Sequence, residues 1–115
     1  PRHGANAANR HFAKFNHIWD KYQLTGKERI FVRWAVEQHC CHEWLRRGEE
    51  GYDVMAILKD ADALDRCRFR TNNLRPEWLL YRESKLLIPI LESICRRTNT
   101  VNEDMSLSNF IKLLD

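Results

Sequence analysis

Apolar residues recur along this chain every three or four positions, the spacing that places side chains on one face of an α-helix. The longest such stripe runs from Ile30 to Leu45, and it follows Thr25 and Glu28, which are spaced like the capping box that starts a helix. No segment alternates apolar and polar residues in the manner of a half-buried strand. The pattern therefore predicts an all-α protein, and we expect a compact helical bundle of about five to six helices.

Similar stripes and capping residues predict the remaining helices. We expect helices over residues 5–15, from Val54 to about Arg68 after an Asp53 cap, from Pro76 to Leu80, after a Ser84 cap and over residues 106–114, with a short amphipathic turn over residues 18–23 and a loop over residues 48–51. Pro89 indicates either a kink in the helix after Ser84 or a helix start nearer Pro89. Because nothing in the sequence marks a linker or an internal repeat, residues 1–115 are predicted to form a single helical domain.

The composition is that of an ordinary folded domain. Of the 115 residues 43 % are hydrophobic, and four Trp, five Phe and three Tyr carry too much apolar surface for a disordered chain. No apolar run approaches the roughly 20 residues of a membrane-spanning helix, and residues 1–10 contain no apolar block of a signal peptide. We therefore expect a cytoplasmic protein without a membrane partner, whose four cysteines are reduced thiols in the core.

The charge balance argues against nucleic-acid binding. Nineteen Lys and Arg residues against 16 Asp and Glu give a net charge of only +3, far from the dense positive surface that a phosphate backbone requires. Basic pairs such as Arg46-Arg47 have acidic residues interspersed around them, and no helix-turn-helix spacing is evident. We expect no nucleic-acid partner.

The predicted helix after Asp53 carries three carboxylates in different positions. Its apolar face comprises Val54, Ile57, Leu58, Ala61 and Leu64. Asp65 falls inside that face, Asp62 lies on its edge, and Asp60 projects to the opposite edge, where we expect it to be solvated. Because a carboxylate on a buried face is costly unless it is paired or bound to a metal, two interpretations stay open. Asp65 pairs with an arginine from another helix, or Asp62 and Asp65 form a metal or catalytic site.

Two histidines are candidates for the same site. His39 shares a helix face with Val32 and Ala35, so it is expected to point at least partly inward. It is either a hydrogen-bonded core histidine or a metal ligand. His3 precedes the first predicted helix, and taken alone it would be an exposed residue near the chain end.

Taken in order, several segments resemble the second half of an HD-domain phosphohydrolase. They are His3-Gly4 before a helix, Trp34-Ala35-Val36-Glu37-Gln38-His39 and Ile57-Leu58-Lys59-Asp60-Ala61-Asp62-Ala63-Leu64-Asp65-Arg66, with further similarity at Leu74-Arg75-Pro76-Glu77-Trp78-Leu79 and Glu83-Ser84. The resemblance covers roughly residues 1–95, and its most specific part is the run from Lys59 to Arg66.

The resemblance implies an all-helical fold that holds one or two divalent ions, of Mn, Fe, Co, Ni, Zn or Mg. It implies that Asp62 is the family's late Asp ligand and that His3 and His39 are two additional histidine ligands. The family's early His and its His-Asp doublet would lie upstream of Pro1, because no His in this sequence is followed by Asp. We therefore expect an HD-like domain without its N-terminal helices.

The implied chemistry is hydrolysis of a phosphate ester. A divalent ion lowers the pKa of a bound water and draws charge from a phosphoryl oxygen. Asp65 would orient an imidazole ligand or a water, and Lys59 and Arg66 would bind substrate phosphate. Ordinary surface charge, or pairing with the neighbouring carboxylates, is the competing interpretation for these two basic residues.

Two functions are consistent with these observations. The first is a metal-dependent phosphohydrolase that acts on a nucleotide or another small phosphorylated substrate, with the missing ligands supplied by a homodimer or a second chain. The second is a non-catalytic helical interaction module derived from an HD-domain protein, whose missing helices leave an apolar face uncovered.

Overall fold

The computed structural model describes residues 2–42, 45–68 and 74–98 and residue 112, and the structural statements below concern these residues. They form helices and connecting turns, and none of them lies in a β-strand, so the predicted all-α class is confirmed. The chain divides into two compact units, Pro1–Asp62 and Ala63–Asp115. No described helix combines the length and the apolar composition that crossing a membrane requires. The helix predicted over residues 106–114 lies outside the described residues, apart from residue 112.

The described part of the first unit contains four α-helices. They are α1 (His3–His11), α2 (Asn16–Lys21), α3 (Gly26–Gln38) and α4 (Tyr52–Leu64), with a 3₁₀ turn over Phe12–Phe15 between α1 and α2. The last two residues of α4 belong to the second unit. Phe12 stacks on Trp19 with ring centroids 5.2 Å apart, which anchors the connection between α1 and α2. The buried apolar residues of this unit are Ala8, Ala35, Tyr52, Met55 and Ala56.

The start of α3 is fixed by the predicted capping box. The backbone N–H of Glu28 donates to Thr25 Oγ1 over 3.2 Å, and the backbone N–H of Thr25 donates to Glu28 Oε2 over 2.7 Å. These bonds satisfy two amide groups that a helix N-terminus otherwise leaves unpaired. The predicted capping box is confirmed.

The end of α3 differs from the prediction, which extended the helix to Leu45. The helix ends at Gln38, and the N–H of Cys41 donates to Gln38 O over 2.8 Å in a turn. Beyond this point the carbonyl oxygens of His39 and Cys41 accept hydrogen bonds from Lys59 Nζ of α4. Because an ammonium group at a helix C-terminus also faces the negative end of the helix dipole, a residue distant in sequence stabilises the end of α3.

Small residues bring α1 and α3 together. Gly4 and Ala8 of α1 and Ala35 of α3 are buried, and Arg33 Nη2 donates to Asn9 Oδ1 over 2.7 Å across the pair. The second residue of α1 lies beside the last turn of α3, and Asn9, near the other end of α1, meets the middle of α3. The two helices therefore run antiparallel.

The approach of the two helices is closest at Gly4. A Cβ at this position would collide with the carbonyl oxygen of Val36 and would lie 2.8 Å from that of Glu37. These atoms belong to the backbone of α3, so they do not move aside as a flexible side chain would. Gly4 is therefore required by the packing, and not by a special backbone angle.

The loop predicted over residues 48–51 is a turn that leads into α4. Gly48 and Gly51 have φ angles of 93° and 85°, in the left-handed region that favours glycine. The ring of Phe31 packs against Gly51 so closely that a side chain there would collide with it. The turn thus fixes the start of α4 against α3.

The second unit contains short helical segments. They are 3₁₀ turns over Asp65–Arg68 and Pro76–Trp78, α5 (Arg82–Leu86) and α6 (Ile88–Thr98). The short helix predicted at Pro76 is present as a 3₁₀ turn. Pro89 is the second residue of α6, where its missing N–H breaks no helical hydrogen bond. Of the two interpretations of this proline, the helix start near Pro89 is confirmed.

The prediction that all four cysteines lie in the core is wrong for two of them. Cys40 and Cys41 are exposed, which contradicts it, whereas Cys67 and Cys95 of the second unit are half-buried with their Sγ atoms 3.0 Å apart. Burial raises the pKa of the Cys67 thiol to about 11, and the contact with Cys95 adds to the shift. Cys67 therefore stays protonated at neutral pH.

We predict that Gly4→Ala destabilises the protein, although alanine is the better helix former by about 1 kcal/mol. The added Cβ meets backbone carbonyl groups of α3, and overpacking of this kind costs about 1–3 kcal/mol. The free energy of unfolding, measured by urea titration with circular dichroism, reports the loss.

Gly26→Ala is the matched control, because Gly26 also lies in a helix and no atom lies within 4 Å of its Cβ position. This substitution should leave the stability unchanged or raise it by up to about 1 kcal/mol. Equal effects of the two substitutions would contradict the close approach of α1 to α3.

Candidate metal site

Two histidines and a cysteine converge at one end of the α1–α3 pair. His3 Nε2 lies 2.9 Å from His39 Nε2, and Cys40 Sγ lies 3.5 Å from His3 Nε2 and 3.9 Å from His39 Nε2. All three ligand atoms fall within 4.8 Å of one another. His3 and Cys40 are exposed and His39 is half-buried, so an ion from solvent has access to the group.

The fold explains why residues 36 positions apart in sequence meet. His3 is the first residue of α1, and His39 directly follows the last residue of α3. The antiparallel packing sets these two helix ends side by side, and the missing side chain of Gly4 lets them approach. His39 Nδ1 would lie only 3.1 Å from a Cβ at Gly4. In the pair His3-Gly4, one residue thus supplies an imidazole and the next supplies the space.

The ring of His39 is held in one orientation by α3. Its Nδ1 lies 2.7 Å from the carbonyl oxygen of Val36. Because a carbonyl oxygen only accepts, Nδ1 carries the proton, and in the neutral ring the lone pair is on Nε2, which faces His3. Histidines that bind a metal through one ring nitrogen characteristically donate a hydrogen bond from the other in this way. The side chain of His39 is only 12 % exposed, so its orientation is also restrained by packing.

The separations of the three ligand atoms suit a tetrahedral ion. With metal–nitrogen bonds of about 2.0–2.1 Å and a metal–sulfur bond of about 2.3 Å, two nitrogens lie about 3.4 Å apart and a nitrogen and a sulfur about 3.6 Å apart. The observed separations are 2.9 Å for the two nitrogens and 3.5 Å and 3.9 Å for sulfur and nitrogen. The two nitrogens are therefore about 0.5 Å closer than in such a site, and each sulfur–nitrogen separation differs by about 0.3 Å or less.

Asp62 joins this group through His39. Its Oδ1 lies 3.9 Å from His39 Nε2, and its side chain is 45 % exposed. The ligand atoms that all lie within 4.8 Å of one another are those of His3, His39 and Cys40. Of the three residues that the resemblance assigns to the metal, His3, His39 and Asp62, His39 lies beside the other two. Their role as metal ligands stays a prediction.

Lys59, expected to bind substrate phosphate, is engaged with the backbone. Its Nζ donates to the carbonyl oxygen of His39 over 3.2 Å and to that of Cys41. These two residues flank Cys40 in the sequence, so Lys59 ties the segment that carries two of the clustered side chains to α4. Its contacts are those of a positioning residue.

The other two predicted site residues belong to the second unit. Asp65 is not on a buried face, because its side chain is 55 % exposed and its Oδ2 accepts a hydrogen bond from Arg68 Nε over 2.6 Å. The expected position is wrong because α4 ends at Leu64 and a 3₁₀ turn with a different angle per residue begins at Asp65. Its arginine partner comes from the same turn and not from another helix. The guanidinium of Arg66 lies 5.7 Å from the centroid of the Trp78 ring, a cation–π contact.

The buried carboxylate of α4 is Asp60, which the sequence placed in solvent. Asp60 is 2 % exposed and has an interaction partner. It shares a helix face with Met55 and Ala56, which are 1 % and 0 % exposed, whereas Ile57 of the predicted apolar face is 61 % exposed. The buried face of α4 is therefore rotated from the one that hydrophobicity alone selects.

Cys40 was not among the residues that the sequence singled out. Cys40 does not belong to a cysteine pair with zinc-site spacing, because its neighbours in the cluster are histidines at two helix ends. A local signal exists in the run His39-Cys40-Cys41-His42, which places four residues of metal-ligating types in succession after the end of a helix.

A cavity of about 470 Å³ lies elsewhere in the first unit, beside the starts of α3 and α4. Its lining includes Glu28, Glu49, Glu50 and Asp53, of which Glu50 pairs with Lys27 over 2.6 Å. The excess of carboxylates disfavours a phosphorylated ligand. The cavity is therefore not a good substrate site for a phosphohydrolase.

No protein-family model matches this chain, and no curated protein or solved structure matches it. The resemblance to HD-domain proteins therefore depends on the segments and residues described above.

We predict that Lys59→Met lowers the free energy of unfolding by about 1–3 kcal/mol. The methionine keeps most of the stem but removes two hydrogen bonds to carbonyl groups, and a typical hydrogen bond contributes about 0.5–1.5 kcal/mol. Urea titration followed by circular dichroism measures the change.

Lys27→Met is the matched control. Lys27 forms an ion pair with Glu50, but both side chains are mostly exposed, at 64 % and 65 %, and such pairs contribute at most about 1 kcal/mol. A loss at Lys59 no larger than that at Lys27 would show that the hydrogen bonds of Lys59 do not hold the end of α3.

Proposed function

We propose that this chain is a domain of the HD type, a bundle of about five to six helices, that binds a divalent ion through His3, His39 and Asp62 and hydrolyses a phosphate ester. A cytoplasmic location is part of the same proposal. The observation that supports it is that His39 lies beside both His3 and Asp62. The resemblance selects them from distant parts of the sequence, and His39 Nε2 lies 2.9 Å from His3 Nε2 and 3.9 Å from Asp62 Oδ1.

Each of the three residues has a distinct part in the proposed site. His39 offers the Nε2 lone pair, since its Nδ1 is committed to Val36 O. His3 brings a second imidazole from α1, and Asp62 brings negative charge from α4. When bound, the ion supplies an activated water and draws charge from a phosphoryl oxygen. In the proposed site these side chains hold and orient the ion. The ion is one of Mn, Fe, Co, Ni, Zn and Mg.

The other predicted residues are Lys59, Asp65 and Arg66. Lys59 keeps the end of α3 in place through its bonds to His39 and Cys41. Asp65 and Arg66 belong to the second unit. Their predicted roles, orienting a ligand or a water and binding substrate phosphate, stay predictions. The substrate is a nucleotide or another small phosphate ester, which a guanidinium recognises through paired hydrogen bonds.

The ligand set of an HD-type site would be completed from outside these residues. The family's His-Asp doublet has no counterpart here, because no His is followed by Asp. In the proposal the missing ligands come from a homodimer, from a second chain or from residues upstream of Pro1. The exposed position of His3 leaves room for such a contribution.

We expect the purified chain, freed of metal by a chelator and then supplied with Mn, Co, Ni, Zn or Mg, to hydrolyse 4-nitrophenyl phosphate. His39→Gln and Asp62→Asn should each lower the rate by at least about 100-fold, because even the loss of an outer hydrogen-bond partner of a ligand costs about 10- to 100-fold. The absorbance of released nitrophenolate measures the rate.

His11→Gln and Asp53→Asn are matched controls, since His11 is exposed at the end of α1 and Asp53 is exposed in the first turn of α4. Each should keep the rate within about twofold, as expected of an exposed position. The absence of turnover with these five ions and with iron(II), added without oxygen, would refute the enzyme proposal for this polypeptide.

A second observation favours a different function, that of a non-catalytic interaction module derived from an HD-domain protein. Large apolar side chains are exposed in the first unit, with Ile30 at 50 %, Trp34 at 46 % and Ile57 at 61 %. The second unit exposes Leu86 and Ile90 at 67 % and 56 %. Exposed apolar groups of this kind, where they are contiguous, mark contacts between proteins.

Light scattering distinguishes this alternative. An interaction module that pairs with itself should elute as a species of about twice 13.8 kDa, and Trp34→Glu, which places a charge among the exposed apolar residues, should return it to the monomer mass. Ala13→Glu adds the same charge at an exposed position of the 3₁₀ turn and should not. A monodisperse monomer of the unsubstituted chain would contradict self-association.

A further inference from the structure

We propose that Cys40 binds the same ion as His3 and His39, so that the site selects zinc or another ion that accepts a thiolate ligand. The inference rests on the proposed function, because it names the class of metal for that site. It also adds a residue that the resemblance to HD-domain proteins does not assign, and it narrows the six metals left open above.

The geometry places the sulfur against both imidazoles. Cys40 Sγ lies 3.5 Å from His3 Nε2 and 3.9 Å from His39 Nε2, close to the separation of about 3.6 Å between a nitrogen and a sulfur on one zinc ion. Two nitrogens and one sulfur then form three corners of a tetrahedron. The fourth corner is open to a water or to the carboxylate of Asp62, whose Oδ1 lies 3.9 Å from His39 Nε2.

The backbone around Cys40 is held before any ion binds. Lys59 Nζ donates to the carbonyl oxygens of His39 and Cys41, the residues on either side of Cys40. The ring of His39 is fixed by its bond to Val36. Two of the three ligands therefore need little ordering when the ion binds, which favours affinity.

The chemistry of the sulfur sets the preference among metals. On binding, the Cys40 thiol releases its proton to solvent, and the sulfur forms a bond to the ion. Thiolate and imidazole ligands suit zinc, cobalt(II) and iron(II), whereas magnesium and manganese prefer oxygen ligands. A site with two imidazoles, a thiolate and at most one carboxylate therefore discriminates against the two harder ions.

Cobalt(II) tests the proposal directly, since it replaces zinc and its absorption reports the ligands. The full chain is freed of metal with a chelator and titrated with cobalt chloride under reducing conditions. We expect visible bands of tetrahedral cobalt and a near-ultraviolet band from sulfur-to-cobalt charge transfer, both complete at one equivalent. Zinc chloride should abolish both bands at one equivalent, and a hundredfold excess of magnesium chloride should not.

The matched substitutions are Cys40→Ser and Cys41→Ser, at adjacent exposed positions. Cys40→Ser should remove the near-ultraviolet band and weaken zinc binding by more than the roughly 10-fold that loss of an outer partner costs. Cys41→Ser should change neither. If Cys40→Ser fails to fold, a second experiment uses the Cys41→Ser chain. Bound zinc should protect Cys40 of that chain from alkylation, and mass spectrometry measures the protection.

Three outcomes overturn the proposal. Cobalt that binds without a near-ultraviolet band shows that Cys40 is not a ligand, and a band that survives Cys40→Ser assigns the sulfur to another residue. Failure of the proposed function has a different signature, which is a complete thiolate band without hydrolysis of 4-nitrophenyl phosphate. Hydrolysis without the band would refute only the thiolate ligand, and no binding of cobalt would refute both.

Discussion

The candidate site depends on one distance, the approach of α1 to α3 at Gly4. A single added methyl group would meet the carbonyl oxygens of Val36 and Glu37. Because the helices are antiparallel, any separation at this point would also move His3 away from His39. The close contact of the two Nε2 atoms is thus a consequence of helix packing, and the residue that permits it carries no side chain.

A second constraint comes from α4. Lys59 binds the carbonyl oxygens of His39 and Cys41, and Asp62 of the same helix reaches His39. One face of α4 thus fixes the end of α3 and brings a carboxylate beside its imidazole. Stability and the geometry of the cluster are therefore linked, since the same ammonium group serves both.

Local features could be predicted from the sequence, and features that depend on tertiary contacts could not. The capping box of Thr25 and Glu28 involves neighbours only, and it is confirmed. The end of α3 at Gln38 depends on Lys59, which lies far along the chain, and no local pattern marks it. The helical wheel misplaced Asp60 and Asp65, because it assumed that the most apolar face is buried and that α4 continues past Leu64. For the site, the resemblance named His3, His39 and Asp62 as ligands, which stays a prediction. The position of Cys40 beside the two histidines depends on the packing of two helix ends.

The antiparallel arrangement of α1 and α3 has an electrostatic consequence for the proposed ion. The cluster lies where the N-terminus of α1 meets the C-terminus of α3, so the partial positive end of one helix dipole faces the partial negative end of the other. These two fields oppose each other, and neutral imidazoles add no charge. In the proposed site, neutralisation of a divalent cation would fall to the thiolate of Cys40 and the carboxylate of Asp62, one negative charge each.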